Sequence, residues 1–256
     1  MLLRRPNQSC EPKLERPASR VELKNVGLTI EGRCILSDIT LSLRAKRIGI
    51  VGANGSGKST LARIIAGLTE PTTGSVGVNG VDVCRNRTDA ICEVGIIFQN
   101  PDHQIIFPTV EEDLAFGPRQ QGHSRSEALK LAHAVLDRFD VSDWAEQPIS
   151  RLSQGQKHLV CLLSVLIMEP AVIIMDEPFT GLDLRTIQIL TGILAEFEHT
   201  IIHVTHDLAT LENYDQVIWI DDGRVGAMGE PNSAIKAYVA SIEKSEVGHA
   251  VTHLAS

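Results

Sequence analysis

Apolar and polar positions change period several times along this chain, and each change marks an element. Over residues 21–30 (VELKNVGLTI) and again over 39–43 (ITLSL) they alternate. That is the two-residue period of half-buried antiparallel strands. Residues 47–51, 94–98, 172–175 and 200–205 are short apolar runs instead, the pattern of strands covered on both faces. Helical spacing occupies 58–68, most of 109–139, 154–168 and 184–198. Residues 217–220 and 224–228 flank Asp221-Asp222-Gly223 and predict a hairpin, and 233–244 predicts a terminal helix. Core strands alternating with helices predict an α/β protein with a parallel core sheet. The early alternating strands form an antiparallel β subdomain, and 99–150 is a helical subdomain inserted into the core. No repeat of solenoid type interrupts this order.

Composition narrows the class. In 256 residues, 43% hydrophobic and 22% charged content is that of a globular protein with room for a sizeable core. A net charge of −8 argues against a general nucleic-acid binder, which needs a basic face. The longest apolar run, 159–168, is ended by Glu169-Pro170 and falls short of the roughly 18 residues of a membrane span. Residues 1–20 carry Arg4, Arg5, Lys13, Arg16 and Arg20 without an apolar segment. They read as a disordered arm, not a signal peptide. Cys10, Cys34, Cys84, Cys92 and Cys161 form no C-x-x-C pair, which suggests reduced thiols. Cys161, inside an apolar run, reads as a buried filler.

Three motifs carry the chemistry. The first is Gly52-Ala53-Asn54-Gly55-Ser56-Gly57-Lys58-Ser59-Thr60, a complete G-x-x-x-x-G-K-[ST] loop between a strand and a helix. Its glycines let backbone N–H groups approach a phosphate chain, and the helix N-terminus favours anions. Lys58 is expected to reach the β- and γ-phosphates, Ser59 to hold Mg²⁺, and Thr60 to serve the α-phosphate region. The second is the apolar run Val172-Ile173-Ile174-Met175 ending in Asp176-Glu177. Adjacent carboxylates at a strand end are costly unless a metal or hydrogen bonds offset the charge. Asp176 is expected to hold Mg²⁺ through water, and Glu177 to be the base for the attacking water. The third is Leu152-Ser153-Gln154-Gly155-Gln156, some 20 residues before that pair.

Together these resemble the ATP-binding-cassette (ABC) ATPases, a P-loop fold with a parallel core sheet, an antiparallel β subdomain and a helical subdomain. The resemblance covers residues 21 to about 235, leaving 236–256 as a helix end and tail. It implies ATP and Mg²⁺ as ligands. It makes Ser153, Gly155 and Gln156 the signature that caps the ATP of a second subunit, so a dimer is implied along with the chemistry. It makes Gln99 the glutamine that senses Mg²⁺ and water, His206 the switch histidine at the γ-phosphate, and Asp183 the aspartate that crosses the dimer interface. The sequence departs from the family at two places. Ile30 stands where an aromatic residue usually stacks on adenine, which predicts weak base selectivity. Gln154 stands at a signature position where glycine is commoner, which predicts little harm.

Phe98-Gln99-Asn100-Pro101-Asp102-His103-Gln104, followed by Pro108-Thr109-Val110-Glu111-Glu112-Asp113-Leu114-Ala115-Phe116-Gly117-Pro118, narrows the resemblance. It is similar to the ATPases of energy-coupling-factor (ECF) importers of vitamins and metal ions. That implies a peripheral protein on the cytoplasmic face of the inner membrane. Its partners would be a second ATPase subunit, with a homodimer favoured, a transmembrane coupling subunit and a small substrate-binding membrane subunit. Little follows the ATPase region, which favours a dedicated biotin system; a cobalt or nickel importer stays open. The acidic residues 111–113 and Asp102 are candidates to meet arginines of coupling helices, while the simpler reading has 111–113 capping a helix behind Thr109. A soluble ABC-type ATPase is a second class, but it usually carries a long coiled-coil insertion or two ATPase domains, and neither is present.

Overall fold

The structure, a computed structural model, describes residues 18–254, with side chains described as far as residue 243. The expected disordered arm lies, for residues 1–17, outside the described residues, as does Cys10. In chain order the elements are β1 (Val21–Ile30), β2 (Arg33–Leu43), β3 (Arg47–Val51), α1 (Lys58–Ile65), β4 (Thr73–Val78), β5 (Val81–Asp82), α2 (Arg87–Glu93), β6 (Val94–Ile97), α3 (Val110–Gln120), α4 (Arg125–Arg138), α5 (Gln154–Leu166), β7 (Val172–Asp176), α6 (Leu184–Ala195), β8 (Thr200–Val204), β9 (Gln216–Asp221), β10 (Arg224–Gly229) and α7 (Pro231–Leu254). The chain folds as two units. One holds Ser19–Arg85 together with the residues from Thr200 on; the other holds Asn86–His199.

The first unit contains an antiparallel sheet ordered β2-β1-β4-β5 and the run β10-β9-β3-β8. In that run β3 is parallel to both β8 and β9, while β10 closes the edge as an antiparallel hairpin with β9. The parallel strands are apolar on both faces because both are covered: Ile48, Ile50 and Val51 are fully buried with Leu61, Ile64 and Ile65 of α1. A second cluster, Val51, Leu211, Val217 and Ala234, packs Trp219, Tyr214 and Tyr238 around the start of α7. That helix opens at Pro231, a residue suited to a first helical turn, and runs past the expected end at 244 to Leu254. β2 begins six residues before the expected strand; Asp38 at a φ of 54° interrupts its alternation.

The second unit pairs β6 with β7 in parallel, Val94 opposite Val172 and Ile97 opposite Met175. The stretch expected to be mostly helical is two helices. α3 ends before Gly122, which has a φ of 99°. α4 then starts from a capping box, with Ser124 Oγ accepting from Glu127 N–H at 3.3 Å and Glu127 Oε2 accepting from Ser124 N–H at 2.8 Å. Cys161 is buried, as expected of a filler.

Candidate functional site

The glycine loop joins β3 to α1. Gly52, Gly55 and Gly57 have φ of 151°, 80° and 104°, a region in which only glycine is unstrained. A Cβ on Gly52 would lie 2.2 Å from the Ile220 carbonyl oxygen, and one on Gly57 would lie 2.7 Å from Leu36 Cδ2. At Gly55 nothing lies within 4 Å, so that backbone faces open space. Gly57 is the N-cap of α1 and no side chain caps the helix. An uncapped helix N-terminus of this kind presents N–H donors and a positive dipole end to an anion. Lys58 is buried, and its ammonium donates to the carbonyls of Gly52 (2.9 Å) and Ala53 (2.8 Å). Ser59 and Asn54 are exposed and Thr60 is half-buried. Ser56 N–H closes the loop on Ala53 O at 3.1 Å.

The β9–β10 turn supports this loop, a role the sequence did not reveal. Gly223 N–H donates to Ser56 O at 2.9 Å, and Ser37 N–H donates to Gly223 O at 2.9 Å. Asp222 and Gly223 have φ of 42° and 75°, as a two-residue hairpin turn requires. The D-D-G triplet announced a hairpin; nothing in it announced that the turn would brace a loop far upstream in the chain.

β8 delivers His206 to the same unit. β8 is parallel to β3, with Ile50 opposite Val204. Gly52 and His206 therefore both lie beyond the carboxyl ends of adjacent strands, where open α/β sheets bind ligands. Thr205 N–H donates to Ile50 O at 3.2 Å, Asp207 N–H to Thr205 Oγ1 at 3.0 Å, and Ala209 N–H to Asp207 Oδ1 at 3.1 Å. The turn is thus fastened on both sides of His206, which is left exposed. His203, two residues earlier, is buried; its Nδ1 lies 2.9 Å from Tyr214 Oη. Burial pulls its pKa down to about 4, so it is a neutral structural histidine. Ile30, at the end of β1, is half-exposed.

In the other unit, β7 is buried along its whole length and ends in Asp176, itself buried. Glu177 follows at a φ of 50°, a strained conformation of the kind kept at functional sites. Thr180 Oγ1 donates to Glu177 Oε2 at 3.5 Å. Asp183 caps α6: its carboxylate accepts from Thr186 N–H at 3.0 Å and from Thr186 Oγ1 at 2.7 Å. The hydroxyl of Thr186, followed by its N–H, pulls the Asp183 pKa down. Ser153 and Gln156 form a capping box at the start of α5, Ser153 Oγ accepting from Gln156 N–H (3.3 Å) and Gln156 Oε1 from Ser153 N–H (2.7 Å). A Cβ on Gly155 would meet Thr186 Cγ2 at 3.0 Å. Thr186, which sequence reasoning missed, therefore binds the Asp183 carboxylate and occupies the space that a side chain at the signature glycine would need.

Gln99 follows β6 and is exposed. Its loop is tied to α5 by Gln104, whose Oε1 accepts from Phe98 N–H (3.3 Å) and whose Nε2 donates to Cys161 O (2.9 Å) and Ser164 Oγ (3.2 Å). The acidic residues around it have intramolecular partners. Asp102 pairs with Lys157 at 2.7 Å and Glu111 with His133 at 2.8 Å. Thr109 donates to Glu112 at 2.9 Å. Asp113 is buried, accepting from the N–H groups of Ile106 (2.8 Å) and Phe107 (3.1 Å), and burial raises its pKa.

The donor set of the glycine loop fits a polyphosphate: backbone N–H groups at a helix start, a buried ammonium, and hydroxyls at Ser59 and Thr60. The Ser56 hydroxyl is buried there without a hydrogen-bond partner. Hydroxyl, amide and carboxylate oxygens such as those of Ser59, Gln99 and Asp176 are of the type Mg²⁺ takes beside phosphate. Among the described residues no three His, Cys, Asp or Glu side chains gather into a metal cage.

A family model described as ABC transporter matches residues 36–180. The chain is 45% identical over 223 residues to the biotin transport ATP-binding protein BioM of Rhodobacter capsulatus, a match covering 87% of this chain and 95% of that protein. It is 36% identical over 221 residues to the energy-coupling factor transporter ATP-binding protein EcfA1 of Ligilactobacillus salivarius, covering 83% and 78% respectively. Among solved structures, cbiO1 from Clostridium perfringens, part of the ABC transporter complex cbiONQ, is similar with a TM-score of 0.72 at 27% identity; the match covers 92% of this chain and 99% of that one.

Proposed function

The chain belongs to the ABC transporter ATP-binding proteins and, among them, to the energy-coupling-factor type, and from that premise we propose that it hydrolyses ATP as one subunit of a dimer to drive a biotin importer. The observation that carries the reading is the glycine loop, with its three positive-φ glycines, uncapped helix start and buried Lys58. Phosphoryl transfer asks the protein chiefly for positioning and charge stabilisation, and that loop is built for both. Gly52, Asn54, Gly55, Ser56, Gly57, Lys58, Ser59 and Thr60 hold the phosphates. Ser59, Gln99 and Asp176 would hold Mg²⁺, which would supply positive charge beside the phosphate oxygens. Glu177 accepts the proton of the attacking water and His206 contacts the γ-phosphate. Ser153, Gly155, Gln156 and Asp183 serve the nucleotide of the second subunit, so hydrolysis follows closure of the dimer, and product release reopens it.

No helix among the described residues is long and apolar enough to cross a membrane. A protein driving transport then needs membrane partners, and we assign it a transmembrane coupling subunit and a small substrate-binding membrane subunit, with this chain peripheral on the cytoplasmic face. Identity of 45% and 38% to two proteins named for biotin transport favours biotin as cargo. The cargo does not touch this chain.

The test of the chemistry is Glu177→Gln. With ATP and Mg²⁺ the variant should run as a dimer in size-exclusion chromatography with light scattering while turnover falls by about 100-fold or more. Turnover equal to the parent removes Glu177 from the role of base. The test of the coupling is purification from solubilised native membranes, followed by biotin binding to the recovered complex. Recovery of soluble partners alone rejects the transporter reading.

A further inference from the structure

Within the Asn86–His199 unit, α5 and α6 begin beside each other. Ser153 is the N-cap of α5 and Asp183 the N-cap of α6. Gly155 is the second residue of α5, and Thr186 the third of α6. The half-buried Thr186 side chain is engaged at both of its branches. Its hydroxyl donates to Asp183 Oδ2 at 2.7 Å, beside the bond from Thr186 N–H to Asp183 Oδ1 at 3.0 Å. Its methyl fills the space over Gly155: a Cβ there would stand 3.0 Å from Thr186 Cγ2, with Oγ1 at 3.3 Å and Cβ at 3.8 Å behind it. Gly155 lies outside the left-handed region. Within this subunit, then, Thr186 and not backbone strain stands against a side chain at that position. A β-branched residue places both branches by the one torsion χ1. Holding the hydroxyl on Asp183 therefore aims the methyl at Gly155, and displacing the methyl draws the hydroxyl from Asp183.

We infer that Thr186 is a positioning residue that fixes the signature glycine and the Asp183 carboxylate in one relation, so that the two meet the second subunit's nucleotide as a single surface. The role rests on the reading of Ser153, Gly155, Gln156 and Asp183 as serving that nucleotide. It asks nothing of Thr186 toward phosphate; Thr186 acts through Gly155 and Asp183. Neither helix start then shifts without the other. A face ordered in advance lowers the entropy that dimer closure would otherwise cost.

The experiment has two arms, both on the full chain. The first is a thermal cycle of parent, Gly155→Ala, Thr186→Ser and the double variant. Alanine is the better helix former, but in the parent it meets the Thr186 methyl. With that methyl removed, the effect of Gly155→Ala on Tm should be about 2–4 °C more favourable than in the parent. Equal effects in the two backgrounds overturn the link to Gly155. The second arm uses the Glu177→Gln chain and reads, by light scattering, the ATP concentration that half-converts monomer to dimer. Thr186→Val keeps a methyl and loses the hydroxyl, and should raise that concentration about fivefold. Thr186→Ser keeps the hydroxyl and should fall between the two. ADP affinity by calorimetry, for which the glycine loop supplies the donors, should be the same in all three. A dimer curve unmoved by Thr186→Val, or moved only in step with ADP affinity, overturns the role. Failure of the Glu177→Gln chain itself to dimerise with ATP would instead reject the proposed function, and the thermal cycle would still decide whether Thr186 joins the two helix starts.

Discussion

Gly52 and His203 show how far single residues can be read. Gly52 was legible: the loop motif demands glycine there, and the structure gives the reason, a φ of 151° with the Ile220 carbonyl where a side chain would start. Gly52→Ala should therefore lower stability by roughly 1–3 kcal/mol and abolish the thermal shift that ADP produces in the parent. An unimpaired shift would show that the Ile220 carbonyl yields easily. His203 reads in the sequence as one of eight structural histidines beside His206, which its burial bears out, but nothing in its neighbours foretells a bond to Tyr214 eleven residues later. Its pKa, held near 4 by burial although Asp207 pulls the other way, lies below the unfolded value of about 6.5. The unfolded chain thus binds a proton that the folded chain refuses. The stability concerned is complete above pH 6.5 and is lost as pH falls toward 4, on the order of 3 kcal/mol in all. Urea midpoints across that window should fall steeply for the parent and less so for His203→Gln. His158, whose pKa burial also lowers, adds a residual slope of the same sign.

At the scale of elements, caps and loops did more to set boundaries than apolar period did. The period ran through 109–139 without a visible break, because both helices there are amphipathic; Gly122 and the Ser124–Glu127 box divide them. β4 and α2 went unread for the opposite reason. β4 is TGSVGV, with two glycines, and α2 is the polar RTDAICE; neither offers the periodicity on which such readings depend. The signature was read as chemistry, and the structure adds that it is a helix start. Ser153→Ala should cost about 1 kcal/mol by loss of the cap alone, measurable by denaturation without nucleotide. Any loss of turnover is to be judged against that baseline. Asp113 gives a sharper contrast. Asp113→Ala strands the N–H groups of Ile106 and Phe107 and should cost about 1–3 kcal/mol. Asp113→Asn keeps an oxygen for both and removes a charge that burial opposes, so its unfolding midpoint should stay near the parent's. Equal losses for the two would show that the charge itself holds the loop.

Among the described residues, Ser19–Arg85 and the stretch from Thr200 on make one unit, and Asn86–His199, between them in sequence, makes the other. The glycine loop and His206 belong to the first; Gln99, Ser153, Asp176, Glu177 and Asp183 belong to the second. The fold class was legible because core strands and helices alternate openly. The division was not, because it follows contacts and not composition. The inserted unit also bears on how a basic membrane partner would be met. Asp102, Glu111, Glu112 and Asp113 resemble an acidic lure in sequence, yet each is engaged by Lys157, His133, Thr109 or the backbone. An arriving arginine would have to trade places with a resident donor, but a hydroxyl or N–H group cancels no charge, and of the four only Asp102 is held by a permanent cation, Lys157. Attraction would therefore act at a distance, while each close contact waited on an exchange of partners. The association rate with a coupling subunit should fall severalfold between about 50 and 300 mM salt, as electrostatically steered encounters do. A flat profile would mean that shape at close range, and not these carboxylates, guides the encounter.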